Sequence, residues 1–230
     1  MSKIGDFENI IIAKGMTDDD FIEYGKLLRR VNGNYNKIQH CYTTAIKFPK
    51  NNYTQAIKLI EYGLDNFADT WSSKYTSYLY MGHIYENAGK YSEAYDSFLS
   101  AKNSIPVEHK TYLIEISSEL LWMKLHIDSF HYSTELEEYY DCYSQADEFS
   151  KSFLNKQYRM AIANLVISLH YSNYAQAKSA LNEAEKISKK GYVGPLYKLL
   201  EYHRYYETLR HTPESLNFII KTKIKLLFYK

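Results

Sequence analysis

Glycine and proline are both scarce in this chain, 9 and 4 among 230 residues. A sheet-rich fold of that length needs many tight turns with unusual backbone angles, whereas long helices joined by short connections do not. The scarcity therefore points to an all-α protein. No Pro/Ser/Gly-rich stretch or charge block interrupts the chain, so it reads as one domain over residues 1–230. Cysteine is almost missing: only Cys41 and Cys142 occur. They are far apart and have no Cys-x-x-Cys or Cys/His neighbours, a pattern that argues against both a disulfide framework and a zinc cluster. Two reduced thiols in a cytoplasmic protein is the expectation, with no metal and no cofactor.

Charge of one sign is lacking too. Lys and Arg number 28 against 27 Asp and Glu, a formal charge of +1, so nothing in the balance draws the chain to nucleic acid or anionic lipid. Long apolar runs are missing. The most apolar stretch, Phe218 to Tyr229, is broken by Lys221, Lys223 and Lys225 and falls short of the roughly 20 apolar residues of a membrane span. Met1 to Gly15 carries Asp6 and Glu8 around the short run Ile10-Ile11-Ile12, which does not resemble a secretory leader. Catalytic signatures are also wanting. The 8 histidines are scattered, and there is no His-Glu-x-x-His, no glycine-rich phosphate loop and no Gly-x-Ser-x-Gly elbow. One pattern resembles an enzyme family: Arg204 and His211 stand at the spacing used by the HEPN ribonucleases. The period of the whole chain contradicts such a compact bundle, and a non-enzymatic protein is expected.

That period is the main positive signal. Tyr53-Thr54-Gln55-Ala56, Tyr91-Ser92-Glu93-Ala94, Tyr132-Ser133-Thr134-Glu135 and Tyr174-Ala175-Gln176-Ala177 return at intervals of about 40 residues, the mark of stacked helix pairs that bury their apolar faces on their neighbours. An N-terminal helical segment (1–36) has its clearest start at Thr17, followed by Asp18, Asp19 and Asp20, and stops near Gly33. Repeats follow over 37–190. The first pair is predicted over Lys37–Phe48 and Tyr53–Phe67, with Ala56, Ile57, Ile60 and Leu64 at helical spacing. The second has Tyr78, Met81, Gly82, Ile84 and Tyr85 on one helix, a turn at Ala88-Gly89-Lys90, then Tyr91, Ala94, Phe98 and Ala101. Small Gly82 and Ala94 mark the closest approach of the two helices, with Tyr85 and Phe98 filling the space between pairs. A third pair is predicted over His109–Phe130 and Thr134–Phe149, and a fourth has Ala161, Asn164, Leu165, Val166 and Leu169 before Tyr174, Ala177, Leu181 and Ala184. A capping pair over 191–230 closes the array, its last helix opened by Thr212 and Pro213.

The second pair resembles the tetratricopeptide repeat: Tyr78, Met81, Gly82, Tyr85, Ala94, Phe98, Ala101 and Pro106 fill that family's places. The resemblance implies a right-handed α-solenoid of about five antiparallel hairpins, with the first helix of each pair lining a concave groove. Carried over position by position, the groove would be lined by Tyr42, then Thr76, Tyr80, His83 and Asn87, then Lys124 and Asp128, then Asn164 and Tyr171, and finally Glu201 and Arg204. Aromatics, amides and both signs of charge suit a peptide or protein partner. The chaperone-adaptor variety of the repeat clamps a C-terminal carboxylate with Lys, Arg and Asn, but the matching stretch here has Thr76, Leu79, Tyr80 and His83. In style and length the units look more like the regulatory domains of Rap and PlcR-type peptide receptors, in which a groove asparagine such as Asn164 would pair with a peptide backbone. Tyrosine is abundant at 25 copies, and the clusters Tyr139, Tyr140, Tyr143 and Tyr202, Tyr205, Tyr206 suit contact with a protein partner or a second copy of the chain. A scaffold or adaptor for protein or peptide is the leading expectation, a signalling-peptide sensor acting by protein contact the next, and a ribonuclease the last.

Overall fold

The computed structural model describes residues 3–109, 112–127, 133–146 and 173–189, together with Gln157, Met160, Ala161, Asn164, Leu165 and Ser168. Contacts divide the chain into two compact units, Met1–Ile127 and Asp128–Lys230. Every element among the described residues is helical, and none of those helices is long and apolar enough to cross a membrane. The capping pair expected over 191–230 lies outside the described residues.

In the first unit the helices are α1 (Lys3–Lys14), α2 (Asp18–Leu28), α3 (Asn34–Ala45), α4 (Tyr53–Phe67), α5 (Trp71–Asn87), α6 (Tyr91–Asn103) and α7 (Leu113–Ile127), with one 3₁₀ turn at Lys50–Asn52. Each of the pairs α1 and α2, α3 and α4, α4 and α5, α5 and α6, and α6 and α7 packs together, and α3 also reaches α5. The core is therefore assembled largely from neighbours in sequence.

Local chemistry sets the helix ends. The Thr17 hydroxyl accepts from the Asp20 backbone N–H at 3.3 Å, and the Asp20 carboxylate accepts in return from the Thr17 backbone N–H at 2.9 Å, a reciprocal cap that fixes the start of α2. Between α5 and α6, Gly89 adopts φ 74°, the left-handed conformation that costs glycine little. Lys90 N–H donates to the Tyr85 carbonyl and Gly89 N–H to that of Glu86, each at 2.9 Å, the double closure that ends many helices. The Ala88-Gly89-Lys90 turn is where the sequence pattern puts it. The α3 limits differ from the predicted Lys37–Phe48. Gly33, at φ 78°, turns the chain early enough for the helix to start at Asn34. At the other end, Lys47 and Phe48 N–H groups bond back three residues to Thr44 and Ala45, so the last residues before Pro49 form tightened turns and no longer count as α-helix. The helix α1 lies within the helical segment expected over 1–36, ahead of its clearest start at Thr17. It buries Ile4 and Ile11 and lays Phe7 against the Tyr24 ring with centroids 6.2 Å apart.

Close approach governs the two central pairs. A Cβ on Gly82 would lie 2.4 Å from the Phe98 ring, and one on Gly63 would lie 2.9 Å from Cys41 Cβ. Phe98 is fully buried, and its ring sits on Gly82 inside its own pair. Tyr85 does reach the preceding pair, meeting Tyr53 with ring centroids 6.3 Å apart.

The second unit contains α8 (Ser133–Gln145) and α9 (Tyr174–Lys189), with helical backbone at the described residues from Gln157 to Ser168. Asn173 caps α9 by accepting from Gln176 N–H at 3.2 Å. Ala177, Ala180, Leu181, Ala184 and Ile187 form its buried stripe, at the helical spacing seen in the sequence.

Two outcomes follow for stability. Gly82→Ala is expected to cost about 1–3 kcal/mol, read as a lowered urea midpoint, while Ala substituted for exposed Asn87 on the same helix leaves it nearly unchanged. The Asp20 carboxyl is held at about 2 by the Thr17 backbone N–H, then by Lys14 and the Thr17 hydroxyl. Because its folded pKa is depressed, its contribution is present above the ordinary value of about 4 and lost as the pH falls toward 2. Asp20→Asn should thus be less stable than the parent in urea at neutral pH, and the difference should shrink on acidification through that window.

Candidate functional site

The four predicted groove residues of α5, Thr76, Tyr80, His83 and Asn87, recur along one side of the helix, but their surroundings differ. Thr76 is half-buried, and Asn87 is exposed. Tyr80 stacks on Tyr42 of α3, with centroids 5.0 Å apart and planes inclined by 20°. Tyr42 is only 5% exposed, and burial, followed by the neighbouring Tyr35, pushes its hydroxyl up to about 12. Tyr42 is therefore core, and its contribution to a binding surface is to hold Tyr80. His83 presents an edge to the Phe98 ring, centroids 5.2 Å apart, and its Nδ1 lies 3.3 Å from a Glu86 carboxylate oxygen. Lys124 of α7 is half-buried and sits over the Tyr95 ring, 5.9 Å from its centre. Asp128, Tyr171, Glu201 and Arg204, as well as His211, lie outside the described residues.

Asn164 belongs to the second unit and faces a cleft of about 550 Å³. Met160, Ala161, Ala180 and Ile187 give the cleft apolar surface, while Asn164, Gln157, Gln176, Ser179, Glu183 and Tyr143 supply polar groups. The Asn164 side-chain amide is held by a hydrogen bond with the Tyr140 hydroxyl, and the rest of the amide faces the cleft. Gln176 is treated the same way, its Oε1 accepting from Asn173 Nδ2 at 3.0 Å. Three amides, two hydroxyls and one carboxylate thus line the cleft beside its apolar contacts. Such a set can pair with carbonyls and N–H groups of an extended backbone while an apolar side chain is covered.

The walls of this cleft are α8, the described helical residues from Gln157 to Asn164, and α9. The first unit has a cleft of similar build, of about 590 Å³, between the ends of α4 and α6 and the start of α5. Leu64 and Tyr78 line it with Asp65, Asp69, Trp71 and Lys74. In both places helical stretches that follow one another among the described residues line the space. Of the cleft residues in the second unit, only Asn164 and the clustered Tyr143 stand out in the sequence as contact residues; Ala161 and Gln176 enter it as parts of the repeat pattern. Gln157 and Glu183 do neither, because they occupy polar positions of helices whose apolar stripe is the only periodic signal. Tyr139, grouped by sequence with Tyr140 and Tyr143 as contact surface, is fully buried, whereas Tyr140 is 40% exposed.

The two thiols differ in setting. Cys41 is buried against Gly63, and burial, then the Glu8 carboxylate, pushes it up to about 12, which leaves it protonated and unreactive at neutral pH. Cys142 is partly exposed. No family model matches this chain, and no curated protein or solved structure is detectably similar to it.

Proposed function

We propose that this chain is a non-enzymatic cytoplasmic scaffold or adaptor that holds an extended peptide segment of a protein partner, within a tetratricopeptide-like array of antiparallel helix pairs. Three features support the array. Consecutive helices pack on one another, α3 reaches α5 across the intervening α4, and glycine stands at the contact point of both central pairs. The reading of function rests on one observation above all, the cleft around Asn164, where the Asn164 and Gln176 amides are held by neighbouring side chains before any ligand arrives. Groups held in advance lower the ordering cost of binding. Glu183 is the one charged residue among the described lining residues, and it favours a peptide carrying a Lys, an Arg or a free amino group at that end. This seat is walled by α8 and α9 as well as by Asn164, so it draws on the second helices of the predicted third and fourth pairs and extends beyond the groove that the resemblance implies.

The test is selection of random displayed peptides on the full-length chain, followed by fluorescence polarisation of the enriched sequences. Asn164→Ala should weaken binding at least about tenfold, or 1.4 kcal/mol, with unchanged circular dichroism, while Ser144→Ala, outside the cleft, binds as the parent does. Failure of any peptide to enrich, or equal affinity of the Asn164→Ala variant, would refute the reading.

A further inference from the structure

His83 does not stand alone on its helix. Glu86 follows at i+3, a spacing that places two side chains on one face, with a carboxylate oxygen 3.3 Å from the imidazole Nδ1. Glu119 of α7 brings a third ligand-type group to the same place: one donor atom from each of His83, Glu86 and Glu119 lies within 4.8 Å of the others. This is a mixed nitrogen and oxygen set drawn from two helices that are far apart in sequence.

Burial sharpens the electrostatics. Glu119 is 4% exposed and the Glu86 side chain 11%. Hydrogen bonds and positive charge both offset the cost of holding carboxylates so far from water. A third carboxylate, Glu115, stands one turn before Glu119 on α7 and accepts from the Tyr75 hydroxyl at 3.1 Å. A divalent cation held between these groups would bring two positive charges, bound through the neutral imidazole, the form that ligates. The donors are also firmly based. His83 rests edge-on against Phe98, and Phe98 is itself pressed onto Gly82, so the imidazole is presented by packed helices and not by a loop. The His83 side chain is 33% exposed, which gives an ion a route from solvent.

We propose that His83, Glu86 and Glu119 bind one divalent cation of the zinc or manganese class, with water completing its coordination, and that the ion ties α5 to α7. The set contains imidazole and carboxylate but no thiolate, which suits these borderline and hard cations and not copper(I). Bonds of about 2.1 Å to N and O space tetrahedral ligands roughly 3.4 Å apart. His83 and Glu86 already have that separation, and rotation of the Glu119 side chain closes the remainder. Three protein ligands leave one position open to water or to a group from a partner.

Isothermal titration of the chelator-treated full chain with zinc chloride, and separately with manganese chloride, tests this. At least one metal should bind at one equivalent with Kd of about 10 μM or tighter. Glu119→Gln and Glu86→Gln keep side-chain size while removing charge, and each should weaken binding at least about tenfold. Cobalt(II) added to the parent should develop a visible absorption band of tetrahedral type, lost in Glu86→Gln, which reads the site without depending on the Glu119 variant folding. No saturable binding of either metal, or parent-like affinity in Glu86→Gln, would overturn the proposal.

Discussion

The approach of α5 to α6 requires that position 82 carry no side chain. The Phe98 ring occupies the volume that a Cβ there would fill, and the ring has no solvent-facing alternative because it is fully buried. Much of the first unit follows from that contact. It lets the pair close, places Tyr85 against Tyr53 and gives His83 an aromatic wall. Gly63 against Cys41 performs the same service for α3 and α4. In an interior packed to near crystalline density, two such contacts fix the interaxial distances more firmly than any surface ion pair.

Polar groups are organised by the same packing. Glu8 of α1 accepts from Tyr24 of α2 at 2.8 Å and lies 2.7 Å from His40 Nδ1 of α3, so one carboxylate joins three helices. Met16 N–H donates to the Gln55 side chain of α4 at 2.9 Å, tying the turn after α1 to the first helix pair. In the second unit, Tyr140 and Asn173 hold Asn164 and Gln176. Groups that look like a list of surface polar residues in the sequence therefore fall into two kinds, those that join helices and those turned toward a cleft.

How much of this could be read from residues alone depended on whether the signal was local. The Thr17 cap, the Gly89 turn and the whole of α4 were legible because each is written within a few consecutive residues. The helix α1 falls in the expected helical segment 1–36, but its bounds are not legible because no capping residue marks its start as Thr17 marks that of α2. Phe98 is legible as a packing residue, but spacing along a helix does not reveal that its ring lies directly on Gly82. Asn164 was found through family resemblance. Glu183 was not, and neither was the meeting of His83 with Glu119, which no sequence interval announces.

The proposed array rests on the helices of the first unit leaning mainly on their neighbours in chain order. Native-state hydrogen exchange of the full-length chain tests it most directly. Packing between neighbours predicts graded opening, with the amides of α3 to α6, each helix flanked on both sides, protected most strongly, and α1 opening at lower free energy. One common opening free energy for every protected amide, as in a domain that unfolds only as a whole, would contradict it.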